Sequence, residues 1–204
     1  MATRPPAGGC SEEPALSLRF LGVDTGPLSS SWALLDVRPS RSWCAPVVSY
    51  LARGDIEGGT DAQASALRML VADSIELDAV DAGLVVIESV EGFVYGSRIS
   101  RGAGLAVGKA LMATSRIVGE LTRVVKDAGR WAVTCTGARA RKRVFDKART
   151  KDSHIKQAVP RLVRGWPARS NVHTRDAAVV ALAAIWSLEG GRKTIQDLAR
   201  MGTL

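Results

Sequence analysis

The chain has 204 residues, is 46% hydrophobic and 5% aromatic, and carries a formal net charge of +8. That length suits one domain with a sizeable core, and the apolar share excludes a wholly disordered chain. The positive balance favours a phosphate-bearing partner, because Lys and Arg release condensed counterions from nucleic acid.

Cys10, Cys44 and Cys135 are odd in number and show no zinc spacing, so a reduced, cytoplasmic setting is expected. Apolar runs fall short of the roughly 18 residues that a membrane span needs.

Residues 1–14 hold Pro, Gly and Glu without an apolar core and predict a disordered tail rather than a signal peptide. Residues 15–24 predict a first strand, which ends Leu21-Gly22-Val23-Asp24-Thr25-Gly26. An apolar run closing on one acid and a glycine turn reads as a hairpin with a carboxylate at its end. Residues 31–37 and 47–52 predict the second and third strands, the latter stopping near Gly54.

Gly58-Gly59 then breaks the chain. Thr60 or Asp61 caps a helix to about residue 78, with Ala66, Leu67, Leu70, Val71 and Ile75 on one stripe. Residues 83–90 are apolar on both faces, as a central buried strand requires, and end in Glu88-Ser89. A glycine-rich connection holding Phe93, Tyr95, Arg98 and Arg101 follows.

The next pattern predicts a helix over 104–127, with Leu111, Ser115, Val118, Leu121 and Val125 near one face. Residues 131–136 predict a fifth strand. Residues 139–169 change character, with Lys and Arg far outnumbering the acids Asp146 and Asp152; short helices are expected at 141–147 and 152–163. Residues 174–188 predict a buried, alanine-rich helix, and a helical tail occupies 191–204. The order βββαβαβ, then helices, predicts an α/β fold over 15–190: a five-stranded mixed sheet flanked by helices.

Three acids stand where this fold could gather them. Asp24 ends the first strand, Glu88 ends the buried fourth, and Asp176 lies in the first turn of the buried helix. His173, three residues before Asp176, shares its helix face. Glu88 follows a long apolar run, where an unpaired acid is costly. Carboxylates so close repel, and divalent cations resolve the repulsion. Mg²⁺ prefers oxygen ligands, and Mn²⁺ tolerates an imidazole as well. Two such ions roughly 3.5–4 Å apart clamp the attacking water and the leaving oxygen of a phosphodiester.

These segments resemble the RuvC-type Holliday junction resolvases of the RNase H-like superfamily. Phe20-Leu21-Gly22-Val23-Asp24-Thr25-Gly26 is similar to the first-strand motif, and Leu84-Val85-Val86-Ile87-Glu88-Ser89-Val90 to the fourth-strand motif. Gly108-Lys109-Ala110 resembles the start of the family's long helix. Lys151-Asp152-Ser153-His154-Ile155-Lys156-Gln157-Ala158-Val159 resembles its basic segment, and His173-Thr174-Arg175-Asp176-Ala177-Ala178 its closing motif.

The resemblance implies an RNase H-like fold and a homodimer that nicks a four-way DNA junction symmetrically. It implies two Mg²⁺ ions per site, with Mn²⁺ as a substitute, and catalytic, metal-holding roles for Asp24, Glu88, Asp176 and His173. Asp24 would bridge both ions. Some members carry an aromatic wedge three residues after the fourth-strand acid. Here that position is Glu91, with Phe93 and Tyr95 just beyond it.

DNA contacts are expected from Arg141, Lys142, Arg143, Lys147, Lys151 and Lys156 in the basic segment. Lys109 and Arg116 on the long helix, with Arg98 and Arg101, would add a second row. Phe93 and Tyr95 could stack on unpaired bases at the crossover.

Three rivals share parts of this pattern. Asp24-Thr25-Gly26 also matches the aspartic-protease triplet, a chemistry that needs two such loops sharing a proton on a nearly all-β fold. An actin-like ATP-binding domain shares the first-strand turn. An RNase H-like nuclease acting on other branched DNA, or on structured RNA as in ribosomal-RNA processing, keeps the fold and changes the substrate.

Overall fold

Five strands form one mixed sheet in the order β3-β2-β1-β4-β5, with helices on both faces. The computed structural model describes residues 18–38, 46–76, 83–90, 101–188 and 194–204. The predicted 1–14 tail lies outside them, as do Cys10 and Cys44; Cys135 is buried and free.

β1 (Leu18–Asp24), β2 (Ser29–Arg38) and β3 (Val47–Glu57) make an antiparallel meander, and β4 (Leu84–Ser89) and β5 (Trp131–Thr136) run parallel to β1. α1 (Thr60–Glu76) and α2 (Arg101–Asp127) cover one face. α3 (Gly137–Phe145), α4 (Asp152–Leu162), α5 (Val172–Leu188) and α6 (Ile195–Met201) contribute to the other. Among the described residues no helix is long and apolar enough to cross a membrane.

Strand alternation divides the core. Phe20, Leu84 and Val86 point into the α5 layer, whereas Leu21, Val23, Val85 and Ile87 meet Leu67, Val71, Leu121 and Val125 of α1 and α2. Both faces of β4 are buried, which is why its sequence is continuously apolar. The same period of two sends Asp24 and Glu88 to the α5 face. Val23 pairs with Ile87, so the next residues along the two parallel strands are neighbours.

Gly22 makes the close approach of α5 possible. A Cβ at this position would collide with the Ala177 carbonyl oxygen and press on the Ala181 side chain. The alanine-rich face of α5 therefore lies directly on the β1 backbone, with Ala177, Ala178 and Ala181 fully buried. A close approach of this kind fixes the first turn of α5 over the end of β1.

Some boundaries differ from the sequence reading. β3 does not stop near residue 52 but runs through Gly54 to Glu57. The Trp32 ring of β2 lies over Gly54, 2.9 Å from where a Cβ would stand, so the glycine seats a cross-strand indole instead of breaking the strand. On α2, Ser115 is exposed, and Thr114, Ile117 and Val124 join the buried face. α3 starts at Gly137 rather than 141, because the Thr136 hydroxyl caps it by accepting from the Arg139 N–H at 3.2 Å. α6 is capped by Thr194 and buries Leu198 in the α5-side core.

Candidate active site

Asp24, Glu88, His173 and Asp176 meet where the C-terminal ends of β1 and β4 pass under the first turn of α5. His173 Nδ1 lies 2.9 Å from Asp24 Oδ2. The side chains of Asp24 and Glu88 hydrogen-bond to each other. Asp176 accepts from Arg141 Nη2 of α3 at 3.1 Å. Asp24 and Asp176 side chains are each 14% exposed, while His173 is 69% exposed. The carboxylates thus form a floor, and the imidazole stands at its mouth.

Local structure holds this floor in place. The Thr25 hydroxyl donates to the Glu88 carbonyl oxygen at 2.9 Å, tying the ends of β1 and β4 together. Gln63, fully buried on α1, accepts from the Ser30 hydroxyl and donates to the carbonyls of Gly26 and Gly58 at 3.1 and 2.8 Å. It pins the turn that follows Asp24. Asn171 caps α5, accepting from the Thr174 N–H at 2.6 Å, and its amide donates to Asp55 of β3 at 3.3 Å. Gly137 opens α3 against Glu88; a Cβ there would strike the Glu88 carboxylate.

Electrostatics follow from this crowding. Burial, with Asp24 beside it, pushes the Glu88 carboxyl up to about 9. Burial also raises Asp24, to about 6. At neutral pH the pair therefore shares one proton, an arrangement that a cation can replace.

Among the described residues, no three His, Cys, Asp or Glu side chains are already grouped to hold a metal ion. Within the site His173 engages Asp24, and Arg141 engages Asp176. The donor set itself, three carboxylates and an imidazole over a shared proton, fits a hard divalent cation.

Both acids bind protons more tightly folded than unfolded, so the cation-free protein loses stability as pH rises from ~4 through the folded values of about 6 and about 9. Mn²⁺ or Mg²⁺ is expected to raise Tm more at pH ~9 than at pH ~6, because it then displaces less proton. Melting scans with chelator and with added cation across that range measure it. An equal cation effect at both ends would show that the acids do not hold the ion.

Of the residues expected to contact DNA, Arg141 lies inside the site. Lys142 pairs with Asp146 at 2.7 Å, and Arg143 donates to the Trp186 carbonyl at 3.1 Å. Lys147, Lys151 and Lys156 are exposed, on or beside α4. Lys109 and Arg116 are exposed on α2, across the sheet from α5, so they do not extend the row formed by α3 and α4. Phe93, Tyr95, Arg98 and the Arg101 side chain lie outside the described residues.

Sequence reading misses Gln63, Asp55 and Asn171, and it does not give Arg141 its contact with Asp176. Gln63 leaves a trace: it stands four residues before Leu67, a polar residue on an apolar stripe. Asn171 leaves one too, as a capping residue two positions before His173.

The sheet and its covering helices are those of an RNase H-like fold, and the acids sit at its parallel strand ends. A mixed sheet with long helices and one Asp-Thr-Gly turn does not fit the all-β, two-loop aspartic proteases.

Comparison with solved structures gives the particular version of that fold. Thermus thermophilus RuvC superimposes with a TM-score of 0.61 at 11% identity, covering 85% of this chain and 97% of that one. The same protein in complex with a Holliday junction substrate gives 0.60 at 13% identity, covering 85% and 96%. The yeast mitochondrial Holliday junction resolvase Ydc2 gives 0.50 at 10%, covering 89% and 83%. No protein-family model matches the sequence, and no curated protein does. The chain therefore has the RuvC-type fold.

Proposed function

We propose that the protein is a divalent-cation-dependent endonuclease that cuts branched DNA, with the four-way junction as its substrate. The observation that carries this reading is the gathering of Asp24, Glu88, Asp176 and His173 at the C-terminal ends of the central strands of a RuvC-type fold. Mg²⁺, two ions per site or Mn²⁺ in its place, would polarise the scissile phosphate and lower the pKa of the attacking water.

Asp24, Glu88 and Asp176 are the oxygen donors for it, with His173 as a fourth group. His173 is oriented by its Nδ1 contact with Asp24. Its other ring nitrogen is left to accept a proton from water at the site mouth. Arg141 neutralises Asp176. Were Asp176 to hold a cation, the Arg141 guanidinium would be available to a phosphate oxygen through charge-assisted hydrogen bonds. The basic walls of α3 and α4 flank this acidic floor, which separates holding the duplex from loading the cation.

The test is cleavage of a four-way junction, a flap, a plain duplex and a structured RNA, with and without chelator. Cation-dependent cutting that favours the junction is expected. Cutting of RNA alone would move the reading to an RNA-processing nuclease. Paired nicks require two sites, so a homodimer is expected on the junction; sedimentation of a lone monomer on that DNA would remove symmetric resolution from the proposal. Binding should weaken steeply as salt rises, and an affinity indifferent to salt would defeat the phosphate-tracking role of the basic segment.

A further inference from the structure

A polar cavity of about 660 Å³ adjoins the candidate active site on its β3 side. Asp24 pairs with Ser31 across β1 and β2, and Ser31 with Asp55 across β2 and β3. Directly opposed residues share a face, so these three side chains form one row beneath the start of α5. Two strand spacings of about 4.8 Å put Asp55 about 10 Å from Asp24. The cavity opens at that far end, bounded by Asp55, Asn171 and Thr174 on the side nearest the acids.

Its other walls are cationic. Arg53 comes from β3, Lys156 from α4 and Arg169 from the segment leading into α5. Among the described residues none of the three has a carboxylate within ion-pair distance. Asp55, the acid in the lining, is already engaged by the Ser31 hydroxyl and the Asn171 amide. Arg53 Nη2 donates to the Arg169 carbonyl oxygen at 2.5 Å, which joins β3 to the segment before α5 and holds the Arg53 guanidinium at the cavity wall, where Arg169 is also a lining residue. Guanidinium forks present several parallel donors matched to phosphate oxygens.

We propose that this cavity is a phosphate subsite for the DNA strand being cut. It takes the backbone one or two phosphates along from the scissile one, since consecutive phosphates of a strand are separated by a whole sugar-phosphate unit, well beyond the axial rise of about 3.4 Å per nucleotide. This rests on the nuclease reading above and adds where the strand runs after leaving the acids: sideways across β2 and β3, not along α2. It gives Arg53 and Arg169 a binding role, and it gives Asp55 the task of holding Asn171 away from that phosphate.

The test is equilibrium binding to a four-way junction in chelator, where no cutting intervenes. Combining Arg53→Ala, Lys156→Ala and Arg169→Ala is expected to lower the slope of log affinity against log salt by about 0.9 for each phosphate that is no longer neutralised. The pair Lys156→Ala and Arg169→Ala, both at exposed positions, leaves the Arg53 hydrogen bond to the backbone in place and guards against a folding artefact. A single neutral methylphosphonate placed one or two phosphates from the cut should weaken binding of the unsubstituted protein and leave the variants unaffected. Equal weakening of all the proteins, or an unchanged salt slope in the variants, overturns the subsite while junction binding by the unsubstituted protein stands. If the unsubstituted protein binds no junction at all, the nuclease reading falls and the subsite with it.

Discussion

Asp24→Asn is expected to bind a four-way junction as the unsubstituted protein does and to cut it at least about a hundredfold more slowly. A cation held at a phosphodiester stabilises the transition state by several kcal/mol, and about 1.36 kcal/mol is tenfold in rate. Asn keeps the shape of Asp and the approach to His173 Nδ1 but removes the charge that neutralises a cation.

The same change should not weaken the fold. Asp24 is held above its ordinary pKa by burial, and it in turn raises Glu88. An amide needs no ionisation and relieves that repulsion, so cation-free Tm above pH ~6 is expected to match or exceed that of the unsubstituted protein. Loss of cutting with retained binding and a retained or raised Tm separates a chemical role from a structural one. Undiminished cutting by Asp24→Asn would take Asp24, and the cation mechanism, out of the protein.

The parts of this site that can be read in the sequence are those with a local signature. Asp24 and Glu88 each end an apolar run, and a strand period of two then decides which face they take. His173 and Asp176 sit three apart on a helix, so their shared face follows from helical geometry. Other features depend on tertiary packing that spacing does not encode. Arg141 sits in a run of cations that reads as a DNA-facing stripe, and only the docking of α3 beside α5 turns it onto Asp176. Gly54 reads as a strand end because no local pattern announces the Trp32 ring that covers it. Ser115 falls on the buried face of α2 by a spacing that fits as well as the true one; Thr114 and Ile117 show the helix turned slightly from that reading. The cavity beside Asp55 is the extreme case. Its walls come from β3, α4 and the segment before α5, and nothing in the chain order announces that Arg53 and Arg169 meet.

Two glycines set by close approach should fail in different ways, and the contrast tests how the site is built. At Gly22 an added methyl meets the backbone carbonyl of Ala177, which no rotamer change can relieve. Gly22→Ala must push α5 away from β1 through the middle of the core, at a cost of about 1–3 kcal/mol or more. For a chain of this size each kcal/mol is worth about 2–4 °C in Tm, so a fall of several degrees is expected. Activity should drop with it, because His173 and Asp176 move with the helix.

At Gly137 the methyl meets the carboxylate of Glu88, the end of a side chain that can swing aside. Gly137→Ala is expected to keep Tm close to that of the unsubstituted protein, while cation affinity and cutting fall together as Glu88 leaves its place. Melting curves and cation titrations on both variants distinguish the outcomes. A Gly137→Ala protein that melts early and still loads cation normally would mean that Glu88 supports the fold and not the chemistry. A Gly22→Ala protein with unchanged Tm would mean that α5 is not held on β1 by this close approach, and that the first turn of α5 is placed over Asp24 by the Asn171 cap and its Asp55 partner instead.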